Sequence, residues 1–418
     1  MNPIIISEAD SAGAGKAALR LHQGLQLKKI KSSMLVQTKA SDTPDVYLPS
    51  HRLTNLLSLT RANRYLDSLP LKAYKNRKKG AYSLNWFPDS METRIFNNFK
   101  PDIINLHWVN FGYLRLETLA TFDLPVVWTL HDMWAFTGGC HYTNGCEEYK
   151  RACGKCPQLS SHSQLDLSRW VMNRKLKSWK NLNLTVVTPS RWLAERARES
   201  SLFSEVPIKV IPNGLDVETY KPMSQQVARD RLNLPQDRDL ILFGSVNATS
   251  DNRKGFDLLK ETLSCLELSQ GKHRPELVIF GSTRGDESND LSLKSHYLGR
   301  LNDDISLSIA YSAADVFVAP SREDNLPNTV MEALACGTPC AAFKIGGMPD
   351  LIDHRVNGYL AKPFDPKDLA VGIQWILSDD SLSRQELRKN AREKVESSFS
   401  DAAQAEQYIA LFDELLSQ

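Results

Sequence analysis

The sequence predicts an α/β protein of two doubly wound, mostly parallel sheets, and three observations predict it. Short apolar strands alternate with helical stretches along most of the chain, which builds a parallel sheet covered on both faces. The alternation pauses at a turn-rich stretch, Ile211-Pro212-Asn213-Gly214, and then restarts. A chain of 418 residues is also too long for one ordinary core. Ligands of such sheets bind beyond the C-terminal strand ends. With two domains facing each other, the cleft between them is the expected active site.

In the first half, strands are expected at Ile4 to Ile6, Met34 to Val36, Ile103 to Leu106, Val126 to Leu130 and Thr185 to Val187. A small-residue turn separates the first strand from a helix over Ala17 to Leu27, and a further helix covers Arg191 to Arg198. Residues 42–90 give no clear pattern. In the second half the apolar runs are Leu240 to Phe243, Leu277 to Phe280, Val316 to Val318 and Cys340 to Phe343, with helices starting near Phe256, Ser306, Pro327 and Pro366. The division is 1–212, 213–395 and a tail, 396–418, whose helical stretch is Ala402 to Leu416.

Hydrophobic residues make up 42% and charged residues 24%, as in ordinary globular proteins, and the formal net charge is only +2. Nothing global argues for nucleic acid as a partner. No apolar run approaches the roughly 18–20 residues of a membrane span. The start, M-N-P-I-I-I, lacks the basic region of a secretory signal, so the expected location is cytoplasmic.

Gly13-Ala14-Gly15-Lys16-Ala17-Ala18 fits the dinucleotide fingerprint G-x-G-x-x-A. That reading needs an acid at the end of the second strand, where the chain has Gln37, Thr38 and Lys39. A Walker loop fails too, because Asp10 stands where it needs glycine and Ala17 where it needs Ser or Thr. Gly13 and Gly15 are either backbone-contact positions or plain turn residues.

His131, in Thr129-Leu130-His131-Asp132, follows an apolar strand and so reaches the cleft edge, where an imidazole can bond a hydroxyl and exchange protons near neutrality. A structural histidine is the alternative. Asp132 either orients that ring or caps the next turn. His107 also follows a strand.

In the second half Gly244-Ser245 ends a strand and Asn252-Arg253-Lys254-Gly255 opens the next helix. Two adjacent cations there can neutralise a diphosphate, Arg253 by forked hydrogen bonds and Lys254 as a compact charge, or they are only solvated. Ala319 to Pro339 then reads A-P-S-R-E-D-N-L-P-N-T-V-M-E-A-L-A-C-G-T-P. This is a strand end, a polar loop through Asn325, and a helix with Pro327 in its first turn and Gly337 and Pro339 to stop it. Amides near Asn328 and Thr329 would meet a phosphate, and two acids, Asp324 and Glu332, are separated by seven residues. Gly346-Gly347-Met348-Pro349-Asp350 reads as a loop-shaping turn. Asp237-x-Asp239 precedes its strand, the wrong end of a sheet for ligand, so no divalent metal is expected on the diphosphate.

Cys140, Cys146, Cys153 and Cys156 are spaced C-x5-C-x6-C-x2-C, and only the last pair has the usual zinc spacing. A structural Zn2+ after His131, unligated thiols and a disulfide formed on purification all remain open. Lys72, Lys75, Arg77, Lys78 and Lys79 lie near Trp86 and Phe87, a cluster that suits either a solvated loop or peripheral association with an anionic membrane.

Together these motifs resemble the retaining glycosyltransferases of family 4, the group 1 enzymes. Their donor site reads acid, seven residues, Glu. The first acid is normally Glu; here Asp324 holds the place with Glu323 before it. Their N-terminal Gly-Gly-Ala loop is here Ala12-Gly13-Ala14, ahead of Ala17-Ala18-Leu19-Arg20-Leu21-His22. The resemblance implies two Rossmann-like domains in the GT-B architecture, acceptor-side (1–212) and donor-binding (213–395), with the last helix crossing back to the first. It implies hexosyl transfer with retention from a nucleoside diphosphate sugar to a glycan or lipid-linked acceptor, in polysaccharide or glycolipid biosynthesis, without a required cofactor. It implies Arg253 and Lys254 on the diphosphate, Glu332 on the ribose, and Asp324 and His131 at the donor sugar. Gly244, Asn325, Asn328 and Thr329 join the donor site, and Gly13, Gly15 and His107 the acceptor side. An epimerase or hydrolase of nucleotide sugars, or a silent sugar-nucleotide binder, would share the donor site.

Overall fold

A computed structural model describes residues 1–48, 63–78, 80–87, 99–245, 251–266, 274–282, 291–378 and 384–417. The chain divides into two compact units, Met1–Gly214 with Gln404–Gln418, and Leu215–Ala403. Each is built on its own sheet.

The first sheet has seven strands in the order β3-β2-β1-β4-β5-β6-β7, all pairs parallel. They are β1 (Pro3–Ala9), β2 (Ser33–Thr38), β3 (Val46–Tyr47), β4 (Ile103–Leu106), β5 (Val126–Thr129), β6 (Leu184–Thr188) and β7 (Ile208–Val210). Side chains alternate across a strand, so each central strand feeds two cores. Ile4, Ile6, Ile104, Leu106, Val126 and Trp128 pack in one. Ile5, Ile103 and Val127 pack in the other, with Ala405, Tyr408, Leu411 and Phe412 of the last helix, Asp401–Leu416. The tail therefore belongs to the first unit from Gln404 onward, eight residues later than the expected 396.

The second sheet has six parallel strands, β10-β9-β8-β11-β12-β13. They are β8 (Leu240–Gly244), β9 (Glu276–Phe280), β10 (Ser295–Gly299), β11 (Val316–Ala319), β12 (Cys340–Phe343) and β13 (Gly358–Ala361). Leu240 and Leu242 face one core while Ile241 and Phe243 face the other.

Several helix starts follow side-chain caps. The Asp166 carboxylate accepts from Ser168 and Arg169 N–H, the Ser190 hydroxyl from Leu193 N–H, and the Asp303 carboxylate from Ser306 N–H. The last of these moves a helix start from the expected Ser306 to Asp304. Two further starts differ from expectation. The first helix begins at Ala12, not Ala17, so Gly13 and Gly15 lie in its opening turn. Pro327 is the cap residue of helix Asn328–Ala335, outside its first turn. Four short strands escape a reading for apolar runs: β3, β7 and β10, which are edge or two- to five-residue strands with polar members, and β13, which begins with glycine.

Candidate functional site

In an open parallel sheet the crevice for ligand opens where strand order reverses, beyond the C-terminal strand ends. In the second unit this point lies between β8 and β11. The loops leaving those strands carry the two expected motifs, and they dock on each other. Gly255 (φ +71) follows the cations, and a Cβ there would lie 2.0 Å from the Pro320 carbonyl oxygen. Arg322 N–H donates to the Arg253 carbonyl at 2.8 Å. A third loop closes on the same point. Gly347 N–H donates to the Asp324 carbonyl at 3.1 Å, and a Cβ on Gly346 (φ +51) would lie 1.9 Å from that oxygen. Only glycine fits so close an approach.

The contact brings both cations to one acid. Lys254 Nζ lies 2.7 Å and Arg253 Nη1 3.3 Å from Asp324 Oδ2. Burial pushes the Asp324 carboxyl up, but the Lys254 and Arg253 charges and the Asn325 N–H outweigh it and hold it below the usual carboxylate range. Arg253 Nη1 also donates to the Glu323 backbone carbonyl at 3.2 Å, while the Asp324 carboxylate meets both cations. Next in the chain comes helix Asn328–Ala335, whose cap residue, Pro327, makes no side-chain cap bond; its Asn328 and Thr329 are half-buried. Glu332 sits in this helix, 4% exposed, and accepts from the Tyr311 hydroxyl at 3.1 Å. Gly244 ends β8 against the Phe280 ring, 2.4 Å from where its Cβ would be. Asp239 lies at the other end of that strand and pairs with Arg384 at 2.7 Å.

In the first unit strand order reverses between β1 and β4. His131 lies just past β5 and is half-buried; His107 just past β4 is fully buried. The rings meet, His107 Nδ1 to His131 Nε2 at 2.9 Å, which places His107 behind His131. Burial lowers the His131 pKa to about 4, partly opposed by Asp132, and burial with the neighbouring His131 lowers that of His107 well below its ordinary value. Both are neutral at pH 7.

Asp132 caps the next turn and holds a third histidine. Its Oδ1 caps Trp134 N–H at 2.8 Å, and its Oδ2 accepts from Trp108 Nε1 at 2.8 Å and His141 Nδ1 at 2.6 Å. His141 continues to the Ser83 hydroxyl at 2.9 Å. Sequence reasoning missed His141, whose only signal was its place beside Cys140. A Cβ on Gly15 would lie 2.4 Å from the Ala9 carbonyl, so Gly15 lets the first helix pack on β1; Gly13 has open space around it.

Cys140, Cys146, Cys153 and Cys156 line one cavity of about 20 Å³ with Tyr82, room for a single water-sized body. They are free thiols, and burial raises Cys153 to about 12 and Cys140 further still. Among the described residues no group of three or more His, Cys, Asp or Glu is arranged to hold a metal ion. Fully buried Lys175 lies nearby, its ammonium donating to the Trp134 and Thr137 carbonyls. Lys72, Lys75, Arg77 and Lys78 are exposed, and Lys79 falls outside the described residues. Trp86 is half-buried, its indole N–H held by the Leu66 and Asp67 carbonyls. Among the described residues no helix is long and apolar enough to cross a membrane.

Residues 12–219 match the family model described as Glycosyltransferase Family 4, and residues 224–394 that described as Glycosyl transferases group 1. The chain is 26% identical over 261 residues to the putative colanic acid biosynthesis glycosyl transferase WcaC of Escherichia coli, covering 58% of this chain and 60% of that one. It is 32% identical over 194 residues to a D-inositol 3-phosphate glycosyltransferase of Xylanimonas cellulosilytica, covering 41% and 43%. The chain thus spans less than two thirds of the length of these relatives. Solved structures of the same fold include a sucrose-phosphate synthase from Thermosynechococcus elongatus (TM-score 0.70, 20% identity, 100% of both chains). Another is Anabaena HepE in complex with UDP and glucose (TM-score 0.64, 16% identity, 99% and 100%).

Proposed function

Since the chain belongs to the group 1 glycosyltransferases of family 4, we propose that it moves a hexosyl group from a nucleoside diphosphate sugar to an acceptor hydroxyl with retention at the anomeric carbon. The acceptor in this reading is a glycan or a lipid-linked glycan, as in polysaccharide or glycolipid assembly.

The observation that carries the donor half is the cluster at the second unit's strand reversal: Arg253 and Lys254 on one carboxylate, next in the fold to a helix whose cap residue, Pro327, makes no side-chain cap bond. As the glycosidic bond breaks, charge grows on the departing diphosphate. Two cations already held in place oppose that charge without reorganising at the moment of reaction. The Asn328 and Thr329 amides add the positive end of the helix dipole. Glu332 takes the ribose hydroxyls. Asp324 orients the cations and reaches the donor sugar, and His131 is assigned to contact with that sugar. No divalent ion is needed, because the cations neutralise the diphosphate; EDTA is expected to leave turnover unchanged, and abolition of turnover restored by Mg2+ would contradict this.

UDP-glucose is the first donor to try, because HepE was solved with it. The test is incubation with and without oligosaccharide acceptors, followed by assignment of the new linkage. A linkage with the donor's anomeric configuration supports the reading. An inverted linkage overturns retention, and donor consumption indifferent to acceptor marks a hydrolase or epimerase.

A further inference from the structure

The hydrogen bonds leading to His131 fix which of its nitrogens carries the proton. The Val127 carbonyl can only accept, and Asn105 Nδ2 lies 3.0 Å from it and 3.1 Å from Thr129 Oγ1. The amide of Asn105 is therefore oriented, with Oδ1 turned to His107 Nε2 at 2.9 Å. An amide oxygen only accepts, so the proton of His107 is on Nε2. Neutral His107 then offers a lone pair at Nδ1, and His131 Nε2, 2.9 Å away, must donate to it. The chain starts at the far end of the sequence: Thr129 Oγ1 shares a hydrogen bond with the Tyr408 hydroxyl at 2.7 Å, and Tyr408 is fully buried in the last helix.

We propose that His107, oriented by Asn105, is a positioning residue that keeps His131 protonated at Nε2 and unprotonated at Nδ1, so that toward a sugar hydroxyl the ring acts as an acceptor and not as a donor. The sugar's part in this rests on the function proposed above; the tautomer does not. A neutral acceptor suits a hydroxyl beside the reacting carbon, because that hydroxyl keeps its own oxygen lone pairs while its proton is held. Without His107 the two tautomers of His131 would differ little in energy, and a fraction of the molecules would present an N–H at the wrong nitrogen.

The test is a long-range 1H–15N spectrum of the full-length protein labelled at histidine, with the His131 signals identified by their loss in His131→Phe. The expected result is a single His131 species carrying its proton on Nε2. In His107→Leu both tautomers should appear, and kcat should fall roughly 10- to 100-fold while KM for the donor changes less. A wild-type spectrum with His131 protonated at Nδ1, or a His107→Leu spectrum identical to wild type, overturns the proposal. The wild-type measurement needs neither the variant to fold nor a substrate. A wrong tautomer therefore sinks the proposal whatever the protein transfers, whereas absent transfer sinks the function.

Discussion

Gly346 shows how much of a binding site depends on side chains that are not there. The Asp324 carbonyl occupies the space a Cβ would need, 1.9 Å away, and the backbone is left-handed at φ +51. Gly346→Ala must displace the Asp324 loop, at a cost of roughly 1–3 kcal/mol, and with it the anchor of Arg253 and Lys254. Donor affinity should fall before global stability does, as read by titration of UDP against melting temperature. Arg253→Ala and Lys254→Ala should instead bind donor with modest loss and turn it over roughly two to three orders of magnitude more slowly, if their charge acts mainly on the transition state. Unchanged turnover in both variants would remove them from the site. His131 carries a pH prediction. Its folded pKa, about 4, lies below the ordinary 6.5. Unfolded protein therefore gains protons first as pH falls, so this residue's contribution is intact above pH 6.5 and is lost between 6.5 and 4. Denaturant midpoints at pH 7 and pH 5 should differ less in His131→Phe than in wild type.

The last helix, Asp401–Leu416, completes a core whose other members run from Ile5 to Ile211. Phe412 is fully buried there, and Phe412→Ala should cost about 3–5 kcal/mol, measured by urea unfolding. Tyr408→Phe removes only the bond to Thr129 and should cost about 1 kcal/mol. The sequence foretold this helix almost to the residue, because its apolar positions recur at helical spacing; its docking face was not legible, since periodicity carries no information about a partner. The same limit explains the sites. Arg253, Lys254 and Asp324 each stood out locally, by charge and by place after a strand, but their meeting depends on the glycine turns at Gly255 and Gly346. The His107 to His131 bond joins residues on neighbouring strands, and only the order β4-β5 makes them neighbours. Lys175, sitting in an ordinary helix, gave no signal at all, and His141 only its place beside a cysteine.

At the scale of the molecule the two units are unequal in how their chains close. The second runs without interruption from Leu215 to Ala403 and holds both of its cores, whereas the first recruits Gln404–Gln418 from the far end. A fragment of residues 215–403 carries a complete sheet with helices on its faces and keeps Arg253, Lys254, Asp324 and Glu332. It should fold alone with a cooperative melt. A fragment of residues 1–214 lacks Ala405, Tyr408, Leu411 and Phe412, which leaves the apolar surface around Ile5, Val127 and Val187 uncovered. It should aggregate, and a version with residues 401–418 joined through a flexible linker should be soluble, because the linker restores the burial at a small loop-closure cost. If the donor is held by the second unit, the 215–403 fragment should also be stabilised by UDP, by about 2.7 kcal/mol at one hundred times the dissociation constant. Arg253→Ala in the fragment should shrink that gain. A fragment that melts cooperatively yet ignores uridine, adenosine and guanosine diphosphates alike would show that the second unit does not bind a nucleoside diphosphate unaided.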